Sequence, residues 1–193
     1  MAGFTSPFGG GDDLFDEAGE FVPAHVPEPG PFLEGHDVLA GSDHVDFHEL
    51  TRKLFDERGV YDMTFGYNLA ELNLDRRHPD AGYRYAAEAD DPDVLRAEFT
   101  PTTPFCPQSH TLTKGSFRAW NGLADRHDYT LVRVRVHPMH HESEAINDEL
   151  EWLEEKFLET GSVTHVSPDD GRGSNPMERK MHAEGPSRGG SPF

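Results

Sequence analysis

The fold is decided by residues 129–159, which read YTLVRVRVHPMHHESEAINDELEWLEEKFLE. In the first part of this stretch, valines alternate with polar residues, a pattern typical of a strand with one buried face. The valines predicted to face the core are Val132, Val134 and Val136, and the residues predicted to face solvent are Arg133, Arg135 and His137.

The second part of this stretch predicts a helix. Its large apolar side chains recur three or four residues apart and therefore share one face. These side chains are Ile146, Leu150, Leu153 and Phe157. Ser143 is expected to cap the first turn, and Glu144 suits the positive end of the helix dipole.

Three more elements are predicted upstream of this strand. Residues 46–59 show helical spacing, with Asp46 as the expected N-cap and Gly59 as the expected end. The turn signal DDPD separates two strand-like segments, which predicts a hairpin over about 82–100. Residues 107–124 predict a second helix. The order helix, hairpin, helix, strand, helix predicts an α+β fold, a two-layer sandwich whose small sheet carries the helices on one face.

The folded domain is expected to span residues 43–160. Residues 1–42 are acidic, rich in Gly and Pro and without a sustained apolar period, so they are predicted to be a disordered tail. Residues 161–193 are punctuated by Gly, Ser and Pro and are predicted to be a flexible tail.

The charge balance indicates an environment rather than an activity. The 193 residues include 17 Lys and Arg against 36 Asp and Glu, a formal net charge of −19. This dispersed acidic excess predicts a halophilic protein, because concentrated salt screens self-repulsion. It also argues against nucleic-acid and anionic-membrane partners, which bind clustered Lys and Arg. The sequence has no apolar run of about 18 residues and no evident signal peptide, so we expect a cytoplasmic protein.

Cys106 is the single cysteine of the chain. One thiol excludes an intramolecular disulfide and a zinc site made of cysteines alone, and it fits a reducing compartment. Cys106 lies in EFTPTTPFCPQSH, residues 98–110, where prolines frame a strand-to-helix turn. Pro107 suits the first helical position, which predicts Cys106 as the N-cap of the next helix. There the helix dipole would stabilise the reactive thiolate, whereas the alternative is a buried and inert thiol.

Histidines cluster in the loop HPMHHESE, residues 137–144. If the sheet and helices pack as predicted, this loop lies on the same edge as the cysteine. Thiolate and imidazole are ligands for zinc and iron. The candidate ligands are Cys106, His110, His137, His140 and His141. A solvated His-rich loop, and for His110 a plain surface position, are the alternatives.

Two segments together resemble one known family. Residues 99–107, FTPTTPFCP, are similar to the F-T-P-T-x-P-x-C segment of the iron–sulfur cluster assembly domain found in the eukaryotic cytosolic iron–sulfur targeting complex and in prokaryotic SufT- and PaaD-type proteins. Residues 132–150 resemble the strand, proline, H-x-S-E and helix of the same family. Besides Cys106, the matching motif positions are Thr102, Thr103, Pro104, Pro107, His141, Ser143 and Glu144.

The resemblance implies a two-layer α+β domain that delivers iron–sulfur clusters to apo-proteins or recruits those clients, and that is not an enzyme. Cys106 takes the role of the family's reactive thiol, with His141 and Glu144 nearest in kind to a ligand and its support. The expected partners are apo iron–sulfur clients and other assembly factors, and a homodimer stays open. A cubane cluster usually takes four thiolates. Because one chain offers one, we expect a transient cluster that also needs His, a small thiol or client cysteines.

Two other functions stay open. One is a metal-binding module that uses Cys106 and histidines to hold zinc or iron. The other is a thiol peroxidase, since Thr103 lies three residues before Cys106 and a proline follows it. Against this reading, Phe99 stands where peroxiredoxins carry proline. The sequence has no glycine-rich phosphate loop and no hydrolase motif.

Overall fold

A four-stranded sheet forms the centre of the computed structural model, which describes residues 14–165. The strands are β1 (Asp37–Val38), β2 (Tyr61–Asp62), β3 (Tyr67–Asn68), β4 (Gly82–Ala87), β5 (Val94–Thr100) and β6 (Leu131–Val136), and the helices are α1 (Gly41–Arg58), α2 (Ser109–Gly122) and α3 (Ser143–Thr160). The main sheet has the order β1-β4-β5-β6, and β2 and β3 form a small separate ribbon. Short 3₁₀ segments cover Leu69–Leu74 and Ala124–Arg126. The predicted α+β class is confirmed.

The strand directions place two loops at one edge of the sheet. β4 and β5 pair antiparallel, which confirms the predicted hairpin. β5 and β6 pair parallel, with Phe99 opposite Val136, and α2 makes the crossover between them. Since parallel strands end at the same side of a sheet, the segments that follow β5 and β6 leave the sheet as neighbours.

The apolar face of the sheet packs under the helices. Val132, Val134 and Val136 are buried, as their alternation predicts. The predicted stripe of α3 also meets the core: Ile146, Leu150 and Leu153 are buried, and Phe157 packs against them half-buried. The largest core side chain is Trp120 of α2, fully buried, whose indole Nε1 donates to Thr51 Oγ1 of α1 at 3.0 Å.

For α1 and α3, the helix ends differ from the predicted caps in two of three places. Gly59 ends α1 in the left-handed region at φ 69°, as predicted. Asp46 is not the N-cap, because the chain turns at Gly41, with φ 58°, and α1 begins there with Ala40 as its N-cap. Ser143 is the first residue of α3 rather than its cap, and its amide donates to His140 O at 3.1 Å. Glu144 lies in the first turn of α3, as expected.

The N-terminal segment corrects the prediction of a disordered tail. Residues 14–42 are not a solvated tail: Val26 and Leu33 are buried, and the Asp16 amide donates to Leu74 O at 2.7 Å. Residues 21–36, called the strap below, lie against the second face of the sheet. Gly30 N and Phe32 N donate to the buried Glu98 carboxylate at 2.6 and 3.1 Å. Residues 1–13 lie outside the described residues.

The second face of the sheet is charged and half-buried instead of solvated. Arg133 and Arg135, predicted to face solvent, both form ion pairs with the buried Glu154 of α3. Arg133 also pairs with Glu88. The strap and the edge of α3 therefore exclude water from arginines that alternation alone assigns to solvent.

The segment after α3 is described only to residue 165. Val163 packs against the core, and His165 O accepts a hydrogen bond from Arg118 of α2 at 3.1 Å. The rest of the predicted flexible tail, 166–193, lies outside the described residues. Across 14–165, no helix has both the length and the apolar character needed to cross a membrane.

Candidate functional site

Cys106 lies on the loop that joins β5 to α2. It is a free thiol of intermediate exposure. The predicted N-cap position is wrong, because the helix begins at Ser109 and Gln108 is its N-cap. The amide of Ser109 donates to Cys106 O at 3.4 Å, so a turn separates the cysteine from the helix. A proline can open a turn as readily as a first helical turn, which is why the sequence placed the helix start too early.

The histidine loop after β6 contacts the cysteine loop directly. His140 Nε2 donates to Cys106 O at 2.9 Å. The His141 amide and its Nδ1 both donate to Pro104 O, at 3.0 and 2.7 Å. The Phe105 ring lies 5.0 Å from the His141 ring. The expected meeting of the two loops is therefore present, and it follows from the parallel pairing of β5 with β6.

The two neighbouring histidines have different chemical capacities. In His140, Nε2 donates to a carbonyl and Nδ1 accepts from Glu142 N at 3.1 Å, so both ring nitrogens are engaged. His140 is also buried, which makes it a brace between the loops. In His141, donation from Nδ1 assigns the proton to that nitrogen and leaves the lone pair on Nε2. The His141 side chain is 46% exposed, and its Nε2 lies 3.9 Å from Glu142 Oε2, beyond hydrogen-bond distance, so Nε2 is accessible to a ligand.

Two predicted ligands lie in other surroundings. His110, on the first turn of α2, has Nε2 2.5 Å from Glu149 Oε2 of α3. Lys114 Nζ is 3.0 Å from the same carboxylate oxygen, so His110 belongs to a link between α2 and α3. His137 lies under the strap, where a Cβ on Gly30 would overlap its ring. The structure thus holds Cys106 and His141 on adjoining loops, while these two histidines contact other parts of the fold.

The remaining motif residues shape the cysteine loop rather than offering ligands. Thr103 O accepts the Cys106 amide at 3.4 Å, and Pro104 O anchors His141. Pro107 is an exposed residue of the turn before α2, and Thr102 is half-buried. Ser143 and Glu144 are the first two residues of α3, and neither side chain caps the helix.

Sequence reasoning missed an exposed apolar rim beside the cysteine. Phe105 is 71% exposed and Met63 is 79% exposed. Gln108 joins their loops, because its Oε1 accepts from Met63 N at 3.1 Å and its Nε2 bonds Thr64 Oγ1. The only sequence feature that could have predicted the exposure of Phe105 was its position, as an aromatic residue, in a proline-framed loop. No sequence feature predicted the exposure of Met63.

The site is a partial ligand set. Among residues 14–165, no group of three or more His, Cys, Asp or Glu side chains is arranged to hold a metal ion. Cys106 and His141 supply one thiol and one open imidazole nitrogen on adjoining loops. Such a set fits a cluster or ion only together with donors from another molecule.

The architecture defines a two-layer α+β domain with its cysteine and histidine loops at one sheet edge. A family profile described as "Domain of unknown function (DUF7998)" matches residues 13–164, so the chain belongs to that family. The matched range includes the strap, in agreement with its packing on the sheet. No curated protein and no solved structure matches the chain.

Proposed function

We propose that this protein is an iron–sulfur cluster delivery factor, a carrier or adaptor that hands clusters to apo-proteins through the Cys106 thiolate. The observation that carries the proposal is the contact between the loop of Cys106 and the loop of His140 and His141. Through this contact the partly exposed Cys106 and the exposed His141 lie on adjoining loops. The motif resemblance in these same two loops supports the same function.

The donor count favours transfer over storage. One thiolate and one imidazole hold cargo weakly, and a cluster prefers four ligands. A client that brings its own cysteines replaces the missing donors and can take the cluster away. The Cys106 carbonyl accepts hydrogen bonds from Ser109 N and His140 Nε2, and the Cys106 amide donates to Thr103 O, so the backbone is held while the thiol stays partly exposed.

The exposed rim favours contact with a protein client. Phe105 and Met63 present apolar side chains within the loops that adjoin Cys106. Large apolar side chains that stay in water beside a reactive group are typical of a surface that another protein covers. A client docked there would bring its cysteines next to the thiolate.

Anaerobic reconstitution of the full chain with iron and sulfide, in high salt, tests the proposal. Wild type is expected to gain cluster-type visible absorbance with bound iron and sulfide, and Cys106→Ala is expected to gain neither. His141→Ala should lower the cluster occupancy several-fold. His110→Ala is the matched control, because His110 is engaged with Glu149. Unchanged cluster uptake in Cys106→Ala would overturn the proposal.

The same preparation separates the two other functions. A zinc or iron module would hold a stoichiometric ion without sulfide after purification. A thiol peroxidase would consume peroxide through a sulfenic acid on Cys106. Either result without sulfide-dependent iron uptake would replace the delivery proposal.

A further inference from the structure

Within residues 14–165, Arg84 of β4 is a buried cation without an ion-pair partner. The residue is 9% exposed, and its Nε is buried with no hydrogen-bond partner. Its hydrogen bond from Nη1 to Pro27 O is long, at 3.3 Å. Within residues 14–165 no carboxylate forms an ion pair with it, whereas Arg96 and Arg133 on the same face pair with Glu88. Burying a charge without a partner is strongly unfavourable, which indicates that a ligand pairs with Arg84.

A second unsatisfied group lies beside the first. His44, in the first turns of α1, is 3% exposed, and its Nδ1 is buried without a hydrogen-bond partner. The His44 ring lies 5.0 Å from the Phe21 ring, and Arg84 Cζ lies 5.1 Å from the same ring. Phe21 of the strap thus contacts both polar groups at the edge of β4.

The chemistry of these two groups selects an anion. A guanidinium only donates hydrogen bonds, and an imidazole nitrogen donates when it carries the proton. The first turns of α1 add the positive end of a helix dipole. The nearby carboxylates are Asp43 in the same helix and Glu98, which is opposite Arg84 in the sheet but is bonded to strap amides. We infer that Arg84 and His44 bind a small monovalent inorganic anion such as chloride beside Phe21.

The small size and single charge of the anion follow from the surroundings. Both groups are more than nine-tenths buried, and Phe21 and Pro27 of the strap lie over Arg84, which excludes a bulky ligand. One unpaired arginine calls for one negative charge. The acidic composition predicts a salt-rich environment, where chloride is abundant. Because the anion binds the native state, the stability of the protein would increase with the chloride concentration. This inference is independent of the proposed cluster delivery.

Crystals of the full chain grown with bromide in place of chloride test the inference. Anomalous diffraction at the bromine edge should show a peak in contact with Arg84 Nε and His44 Nδ1. A water molecule at that place, a void, or bromide peaks at the surface alone would overturn it. The wild-type protein suffices for this experiment.

Chlorine-35 NMR gives a second test in solution. Wild type should broaden the chloride line, and Arg84→Gln should lose most of that broadening. Arg126→Gln is the matched control, because Arg126 is an exposed arginine paired with Glu57. Replacing chloride by gluconate at fixed ionic strength should lower the melting temperature of wild type and of Arg126→Gln. Equal broadening by Arg84→Gln and wild type would contradict the anion site.

Discussion

The two faces of the sheet are covered in different ways. One face is apolar and packs under three helices, with Trp120, Tyr83 and Leu95 almost fully buried. The other face carries arginines and glutamates, and the strap covers it through backbone amides and rings set over arginines. The apolar face requires only a periodic pattern of apolar side chains. The strap requires particular hydrogen-bond and ring contacts at particular positions. The first face should therefore supply most of the stability, and the second should be sensitive to single polar or steric changes.

The largest effect is expected on the apolar face. Trp120→Ala should lower the free energy of unfolding by about 3–5 kcal/mol, because it leaves a large cavity and removes the partner of Thr51. Urea unfolding measures the change. Trp152→Ala is the matched control: Trp152 is half-buried at the margin of the core and should cost clearly less. Equal losses would show that the apolar face is not the main source of stability.

Acid should weaken the same face through His48. Its Nδ1 accepts from Tyr85 OH at 2.7 Å and its Nε2 donates to Ala70 O at 2.8 Å, both as a neutral ring. Burial lowers the pKa of His48 from 6.5 to about 4. Between these two pH values His48 is protonated in the unfolded chain but neutral in the native protein. The stability that the neutral His48 contributes is therefore fully present above pH 6.5 and is lost as the pH falls towards 4.

The size of the acid effect can be measured by urea unfolding at pH 7 and pH 5. His48 should account for a loss of about 2 kcal/mol over this interval. In His48→Gln the loss should shrink by that amount, whatever the starting stability of the variant. His141→Gln changes an exposed ring and should keep the full pH dependence. A pH dependence of His48→Gln equal to that of wild type would contradict a neutral buried His48.

A smaller effect is expected where the strap crosses the charged face. A Cβ on Gly30 would overlap Glu98 and His137, so Gly30→Ala should cost about 1 kcal/mol or more and raise hydrogen exchange in the strap. Gly19→Ala is the control, because in the described part of the chain no atom other than those of its sequence neighbours lies within 4 Å of its Cβ position. If both variants exchange like wild type, the close contact of the strap at Gly30 is wrong.

The smallest effect on stability is expected at the rim of the site. Phe105 is 71% exposed, so Phe105→Ser should change the free energy of unfolding by no more than about 0.5 kcal/mol. Cluster transfer to a client should nevertheless slow, because the rim is proposed as the docking surface. Leu158→Ser is the control: Leu158 is also exposed, on α3, and should leave both stability and transfer unchanged. Cluster transfer by Phe105→Ser at the wild-type rate would contradict the proposal that the rim is the docking surface.

The comparison of the faces also explains what the sequence could predict. The valines of β6 and the stripe of α3 were predictable, because periodic burial depends on side-chain type alone. The strap was not, since Gly30 and Phe32 hold Glu98 through backbone amides that no composition reveals. Arg133 was assigned to solvent for the same reason: its cover comes from a distant segment.

The candidate site likewise has features that the sequence could predict and features that it could not. The meeting of the two loops could be predicted, because it follows from the order of the strands. The contacts of His137 with the strap and of His110 with Glu149 could not, because they depend on segments far away in the sequence. The start of α2 at Ser109 was missed because Pro107 suits a turn as well as a first helical residue.

Cluster transfer to an apo-ferredoxin tests the central claim most directly. Wild type loaded anaerobically should convert the acceptor to its holo form, followed by visible circular dichroism, faster than free iron and sulfide do. Cys106→Ala should give only the rate of free iron and sulfide, and His110→Ala should match wild type. Equal transfer by wild type and Cys106→Ala would contradict the account.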